Sequence, residues 1–220
     1  MKILLPDDVE NALANFRSKS FTVPLLLTEI NVTGEQIYTQ GFQNDFLGID
    51  IQPLQSREDD LILGINRAAE AAAGEAGPIF GDAITGITID DANNILFGGV
   101  ETAATDFLRD NTFNPLFDNF EPRIEDALNT IQVGNVSVVD EYESFVNSYN
   151  DILNTSIPAV GSISSLVDLD PIQASDLSSF STGEALNGLF LKVSEEEANI
   201  RENPLARVTD LLADVFGQLD

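Results

Sequence analysis

Apolar residues recur at intervals of three to four positions over most of this chain. Val138, Tyr142, Phe145, Tyr149 and Ile152 follow that spacing, as do Leu61, Ile65, Ala68, Ala69 and Ala72. Such a period places greasy side chains on one face of an α-helix, and a helix with one apolar face must bury it against others. The stretch FTVPLLLTEINVTGEQIYTQGFQND, Phe21 to Asp45, breaks the rule. There Val23, Leu25 and Leu27 alternate, Ile30 and Val32 alternate, and Ile49 and Ile51 stand at strand spacing farther on. With Gly34 near a turn in VTGEQ, residues 18–55 predict either a β-hairpin or an ordered loop. Two strands alone are marginal in water, so such a segment must lie on the helices or on a partner. The expected fold class is all-α: residues 1–220 form a single-domain multi-helix bundle, with the insertion at 18–55 lying across its outside.

Local signals place the other helices. Asp7 or Asp8 caps a first helix carrying Val9, Leu13 and Phe16. Ser56 and Asp59 form a capping-box pattern, and a helix is expected from about Glu75 to Thr85. Thr88, Asp91 and the Gly98-Gly99 stop frame a compact helix. A further helix starts near Glu101 with Ala104, Phe107 and Leu108 inward, and the stretch after it is one helix bent at Pro122 or two short ones. NTSIPAVGSISSLVDLDPIQ reads as a connector with a short helix at most. Ser181 and Glu184 open a strong helix bearing Leu186, Leu189, Phe190 and Val193, and Asn203 with Pro204 opens the last, ending at Gly217.

Composition narrows function by exclusion. Lys and Arg number 10 against 37 Asp and Glu, a formal net charge of −27, which repels phosphate backbones and anionic membranes. The acids are spread along the chain and fit a solvated surface. The absence of His, Cys and Trp removes thiol nucleophiles, His-based triads and Cys or His zinc sites, and no cofactor is implied. No apolar run is long enough to span a bilayer. MKILLPDD is too short for a signal peptide, so the protein is either cytoplasmic or exported with its targeting segment removed from this chain.

Two blocks carry a family resemblance. They are INRAAEAAAGEAGPIFGDAITGITIDDANNILFGGVETAATDFLRDNT and STGEALNGLFLKVSEEEANIRENPLARVTDLLADVFG, with KILLPDDVENAL as a lead-in. Together they resemble the bacterial family called domain of unknown function 4197. The resemblance implies an all-helical domain commonly made with an export signal, hence a periplasmic or envelope location, and it assigns no activity. It also implies a much shorter connection between Arg17 and Ser56, which marks 18–55 as an insertion.

The sparse arginines are the candidate ligand-binding residues. Arg67, Arg109 and Arg201 lie in the family-like blocks near Asn66, Asp106 and Glu197. Arg suits a carboxylate or phosphate through its planar fork. The structural counterpart is a set of helix ion pairs, and Glu197 to Arg201 has the favourable i,i+4 order. SEEEANIRE, TIDDANN and DLDP gather carboxylates, but none has the EF-hand pattern, and consecutive Glu residues point different ways on a helix. No catalytic or metal residue is assigned. The expected function is a non-enzymatic envelope protein that binds a protein partner or small ligand, with self-association through 18–55 as one form. The alternative is an enzyme built on Asp, Glu and Arg, or a carboxylate site for Ca²⁺ or Mg²⁺.

Overall fold

A computed structural model describes residues 2–25, 27–210, 213, 216 and 217. In chain order the elements are α1 (Asp7–Arg17), β1 (Ser20–Pro24), β2 (Glu29–Thr33), α2 (Gly34–Gln40), β3 (Phe42–Asn44), β4 (Ile49–Ile51), α3 (Gln55–Ala72), α4 (Ala76–Thr85) and α5 (Ile89–Phe97). They continue with α6 (Ala103–Thr130), β5 (Gln132–Val133), β6 (Val136–Ser137), α7 (Val138–Asn154), β7 (Ser156–Ile157), β8 (Gly161–Ser162), α8 (Ile163–Val167) and α9 (Leu177–Glu202). Helix dominates, and the strands form four antiparallel pairs, each of two strands, so the chain is mostly all-α with small strand segments. The residues cluster into two compact units. A hairpin unit comprises Ile3–Ala68 and Glu125–Phe180; a helical unit comprises Met1–Lys2, Ala69–Ile124 and Ser181–Asp220. The chain passes from one to the other within α3, α6 and α9.

In the hairpin unit, residues 18–55 hold two hairpins with α2 between them, not one hairpin or a loop. β1 pairs with β2 in the register Phe21↔Val32 and Val23↔Ile30, and β3 pairs with β4 as Phe42↔Ile51 and Asn44↔Ile49. The expected turn at VTGEQ is the start of α2, where Thr33 and Gln36 make a complete capping box. Gly34 is required there by close approach: a Cβ would lie 1.8 Å from the carbonyl oxygen of Phe16. Nor is the segment a cover. Val23 and Ile37 are fully buried, Phe21, Val32, Tyr38, Ile49 and Ile51 nearly so, and they share the unit's interior with Phe16, Tyr142, Phe145 and Tyr149. Phe16 meets Tyr149 edge to face at 6.0 Å. Each such side chain contributes about 1.5–3 kcal/mol through burial, so residues 18–55 are a large part of what stabilises this unit.

The helical unit is organised around α6 and α9. Thr112, Leu116, Phe120 and Ile124 form a buried i,i+4 stripe along its part of α6. Pro115 and Pro122 lie on its exposed side and do not divide it, so one continuous helix runs from Ala103 to Thr130 where separate helices are expected. Phe190 of α9 stacks with Phe113 at 6.3 Å and meets Phe80 of α4 edge to face at 5.8 Å.

Several expected boundaries move. Pro6, not Asp7 or Asp8, occupies the cap position of α1, and those acids sit in the first turn, where the helix dipole favours them. α3 begins at Gln55, which puts Ser56 inside the helix. α9 begins at Leu177, capped by Asp176, whose carboxylate accepts from the N–H groups of Ser178 and Ser179 at 3.0 and 3.1 Å. Ser181 is therefore an interior residue. Asn203 caps as expected, but over a short 3-10 turn, Pro204–Ala206. Much of the final helix expected up to Gly217 lies outside the described residues.

Candidate functional site

The six residues singled out by sequence do not form one site. Asn66 and Arg67 belong to the hairpin unit; Asp106, Arg109, Glu197 and Arg201 belong to the helical unit. Asn66 ties down the N-terminal segment: its side chain accepts from the Ile3 N–H at 3.0 Å and donates to the Ile3 carbonyl at 2.7 Å. Arg67 is exposed. Asp106 accepts from the Thr102 hydroxyl one turn earlier, at 2.9 Å.

Glu197 and Arg201 carry the most developed geometry. Glu197 is buried, yet its carboxylate has a full set of donors. Oε1 accepts from the N–H of Ala104 at 2.9 Å, and Oε2 accepts from the N–H and hydroxyl of Thr105, both at 2.7 Å. These N–H groups belong to the first turn of α6, where four backbone donors lack helical partners, so a side chain of α9 caps α6. Arg201 donates to Glu197 Oε1 at 2.6 Å and to the Ile95 carbonyl of α5 at 2.7 Å. Burial drives the Glu197 carboxyl up, but the Ala104 N–H, the Thr105 hydroxyl and the Arg201 guanidinium outweigh it and hold it below its ordinary value. Arg207 closes the same region by donating to the carbonyls of Ile200 and Arg201. The pair is thus a tie among α5, α6 and α9, with its hydrogen-bonding groups facing inward.

Arg109, on α6, meets α9 at another point. It donates to Asn187 Oδ1 at 2.9 Å and sits 5.5 Å from the ring centres of both Phe113 and Phe190. From Asn187 to Arg201 the helix rises about 21 Å, so Arg109 and Arg201 cannot grip one small anion. Among the described residues no group of three or more acidic side chains is placed to hold a metal ion. A hollow of about 410 Å³ in the helical unit is lined by Ile79, Asp82, Phe107, Asn111, Thr112 and Pro115. Its Asn111 and Thr112 side chains donate to the helix carbonyls of Phe107 and Leu108, which leaves little polar recognition directed at a ligand.

Two features of the hairpin unit escaped the sequence reading. Arg57 of α3 is a half-buried hub that grips α7: Nε donates to Glu141 at 2.5 Å and the terminal nitrogens to the hydroxyls of Ser148 and Ser144 at 2.7 and 3.0 Å. The serines at Ser144 and Ser148, one turn apart and one turn beyond Glu141, were the available signal. The second feature is at the tips of the two hairpins. Leu25, Leu27, Asn44 and Phe46 surround a shallow hollow of about 230 Å³. Leu27 is 96% exposed and Phe46 65%. The signal was a run of leucines and a Phe-Leu pair placed where turns normally carry polar residues.

No helix among the described residues is long and apolar enough to cross a membrane. No curated protein and no solved structure matches the chain. A family model does, over residues 50–217. That range contains TAATDFLR, ALNGLFL and EEEANIREN, and in the structure Thr105 and Arg109 of the first meet Glu197 of the third and Asn187 of the second. It leaves out the lead-in helix and most of the 18–55 segment. The chain belongs to the family described as protein of unknown function (DUF4197).

Proposed function

We propose that this protein is a non-enzymatic binding module of the cell envelope that holds a protein partner through residues 18–55. The paired hairpin tips carry the proposal. Leu27 and Phe46 stand out of the surface beside Leu25, largely uncovered by the described residues. Burying one Leu and one Phe is worth about 3–6 kcal/mol, enough to anchor a partner with an apolar pocket. The rest of the unit gives the tips a rigid base, because the strands behind them carry Val23, Val32 and Ile51 into the core. The envelope location rests on the export signal common in the family.

Site-specific photo-crosslinking in cells tests the binding face. A crosslinker at Leu27 or Phe46 should give a discrete adduct, whereas one at the exposed Asp118 of α6 should not. Adducts absent at both tips, or equal at all three positions, would remove the proposal. Fractionation of the full gene product tests the location; recovery in the cytoplasm alone would refute it.

A further inference from the structure

α5 is a well-formed helix that buries none of its own side chains. Both halves of its capping box are made: Asp91 N–H donates to the Thr88 hydroxyl oxygen at 3.2 Å, and Thr88 N–H donates to Asp91 Oδ2 at 3.1 Å. From α9 it receives the hydrogen bond of Arg201 to the Ile95 carbonyl. Nine residues are too few for a helix to persist alone in water. Its exposed side carries two large apolar residues beside Asp90, Asn93 and Asn94. Ile89, Asn93 and Phe97 follow at i, i+4 and i+8, on one stripe, and Val100 lies just beyond the Gly98-Gly99 turn. Ile89 is 82% exposed, Phe97 57% and Val100 51%.

The surroundings say what could cover it. From Ala76 to Leu108 every charged residue is acidic: Asp82, Asp90, Asp91, Glu101 and Asp106. A second copy would bring the same carboxylates, and a net charge of −27, against them. The complement of an apolar stripe bordered by carboxylates is an apolar stripe bordered by ammonium or guanidinium groups. We infer that the α5 face, centred on Ile89 and Phe97, is a docking surface for a cationic amphipathic helix of another protein. It lies in the helical unit and within the family-matched range, so it is independent of the hairpin tips.

The test is a fluorescence-anisotropy titration of the full chain against a labelled Leu/Lys amphipathic peptide of about five helical turns, at physiological ionic strength. The Ile89→Ser/Phe97→Ser protein and the Asp90→Asn/Glu101→Gln protein should each bind about tenfold more weakly or worse. The Leu27→Ser/Phe46→Ser protein should bind as the parent does, and a Leu/Glu peptide should not bind. Hydrogen exchange on the parent protein should show new protection at residues 88–100 when the Leu/Lys peptide is added, a readout that does not depend on any variant folding. Several results would overturn the inference: no peptide binding; equal binding by the Ile89/Phe97 variant, which marks diffuse attraction to acid; loss of binding in the Leu27/Phe46 variant; or a sedimenting dimer that the Ile89/Phe97 changes dissolve, which makes the occupant a second copy.

Discussion

Replacing Glu197 with Ala tests whether the family-like motifs are a structural tie. The substitution removes a buried carboxylate that accepts from two backbone N–H groups, one hydroxyl and one guanidinium. It leaves the Arg201 side chain, 10% exposed, without its counter-ion. Breaking one side of a buried ion pair costs about 3–5 kcal/mol, most of it from the charge left behind. At about 2–4 °C per kcal/mol for a chain of this size, the midpoint should fall by about 6–20 °C. Urea denaturation followed at 222 nm measures the loss, and hydrogen exchange at Ala104 and Thr105 locates it. Arg201→Met should hurt less alone and, combined with Glu197→Ala, should recover part of the loss, because the double variant buries no lone charge. The dependence on pH has a definite sign. A carboxyl held below its ordinary value of 4.5 stabilises the fold above that value and stops doing so as pH falls through the lower folded value. Parent and variant should therefore converge in acid. A loss under about 0.5 kcal/mol at neutral pH, the range of an ordinary surface change, would refute the capping role.

Three further outcomes are expected. Ile37→Ala, at a fully buried position in the 18–55 segment, should cost about 2–5 kcal/mol in chemical denaturation; a loss well under 1 kcal/mol would return the segment to the outside of the fold. Arg57→Lys should fail to restore the stability lost in Arg57→Ala, about 1.5–3 kcal/mol by urea denaturation, because an ammonium cannot reproduce a fork that reaches Glu141, Ser144 and Ser148 together. Glu58 accepts from the Tyr38 hydroxyl at 2.8 Å, yet burial, with the nearby Glu10 carboxylate adding to it, pushes the Glu58 carboxyl up despite that bond. A raised carboxyl favours folding below its unfolded value and loses that contribution as pH rises through the folded value. Glu58→Gln should then melt higher than the parent near neutral pH and level with it in acid; the opposite order in calorimetry would contradict the burial argument.

Local chemistry was legible where it was self-contained. Thr88 and Asp91 announce α5 three residues apart, and the buried stripe of α7 is complete in its own seventeen residues. The same signal misled at Thr33 and Gln36, because strand-like neighbours made a capping box look like a turn. Asp176 was passed over as the cap of α9 because the STGE pattern four residues into the helix satisfies the same rule. Pro122 suggested a bend or a break, but whether a proline divides a helix depends on which side faces solvent, and that follows from packing. At the candidate site, the Glu197–Arg201 spacing was readable and the outcome was an ion pair. Its real partners, the N–H groups of Ala104 and Thr105, are more than ninety positions away, and nothing in local pattern connects them.

The division of the chain bears on how the protein can be cut. The hairpin unit draws its interior from Ile3–Ala68 and from Glu125–Phe180, and the helical unit takes what lies between and after. A fragment trimmed to the family boundary at residue 50 would discard Phe16, Val23, Ile37 and Tyr38 while keeping Tyr149, which Phe16 meets edge to face. Kinship in sequence and burial in structure have different borders in this protein: without its N-terminal segment, the unit that segment completes would be left with part of its greasy side open to water.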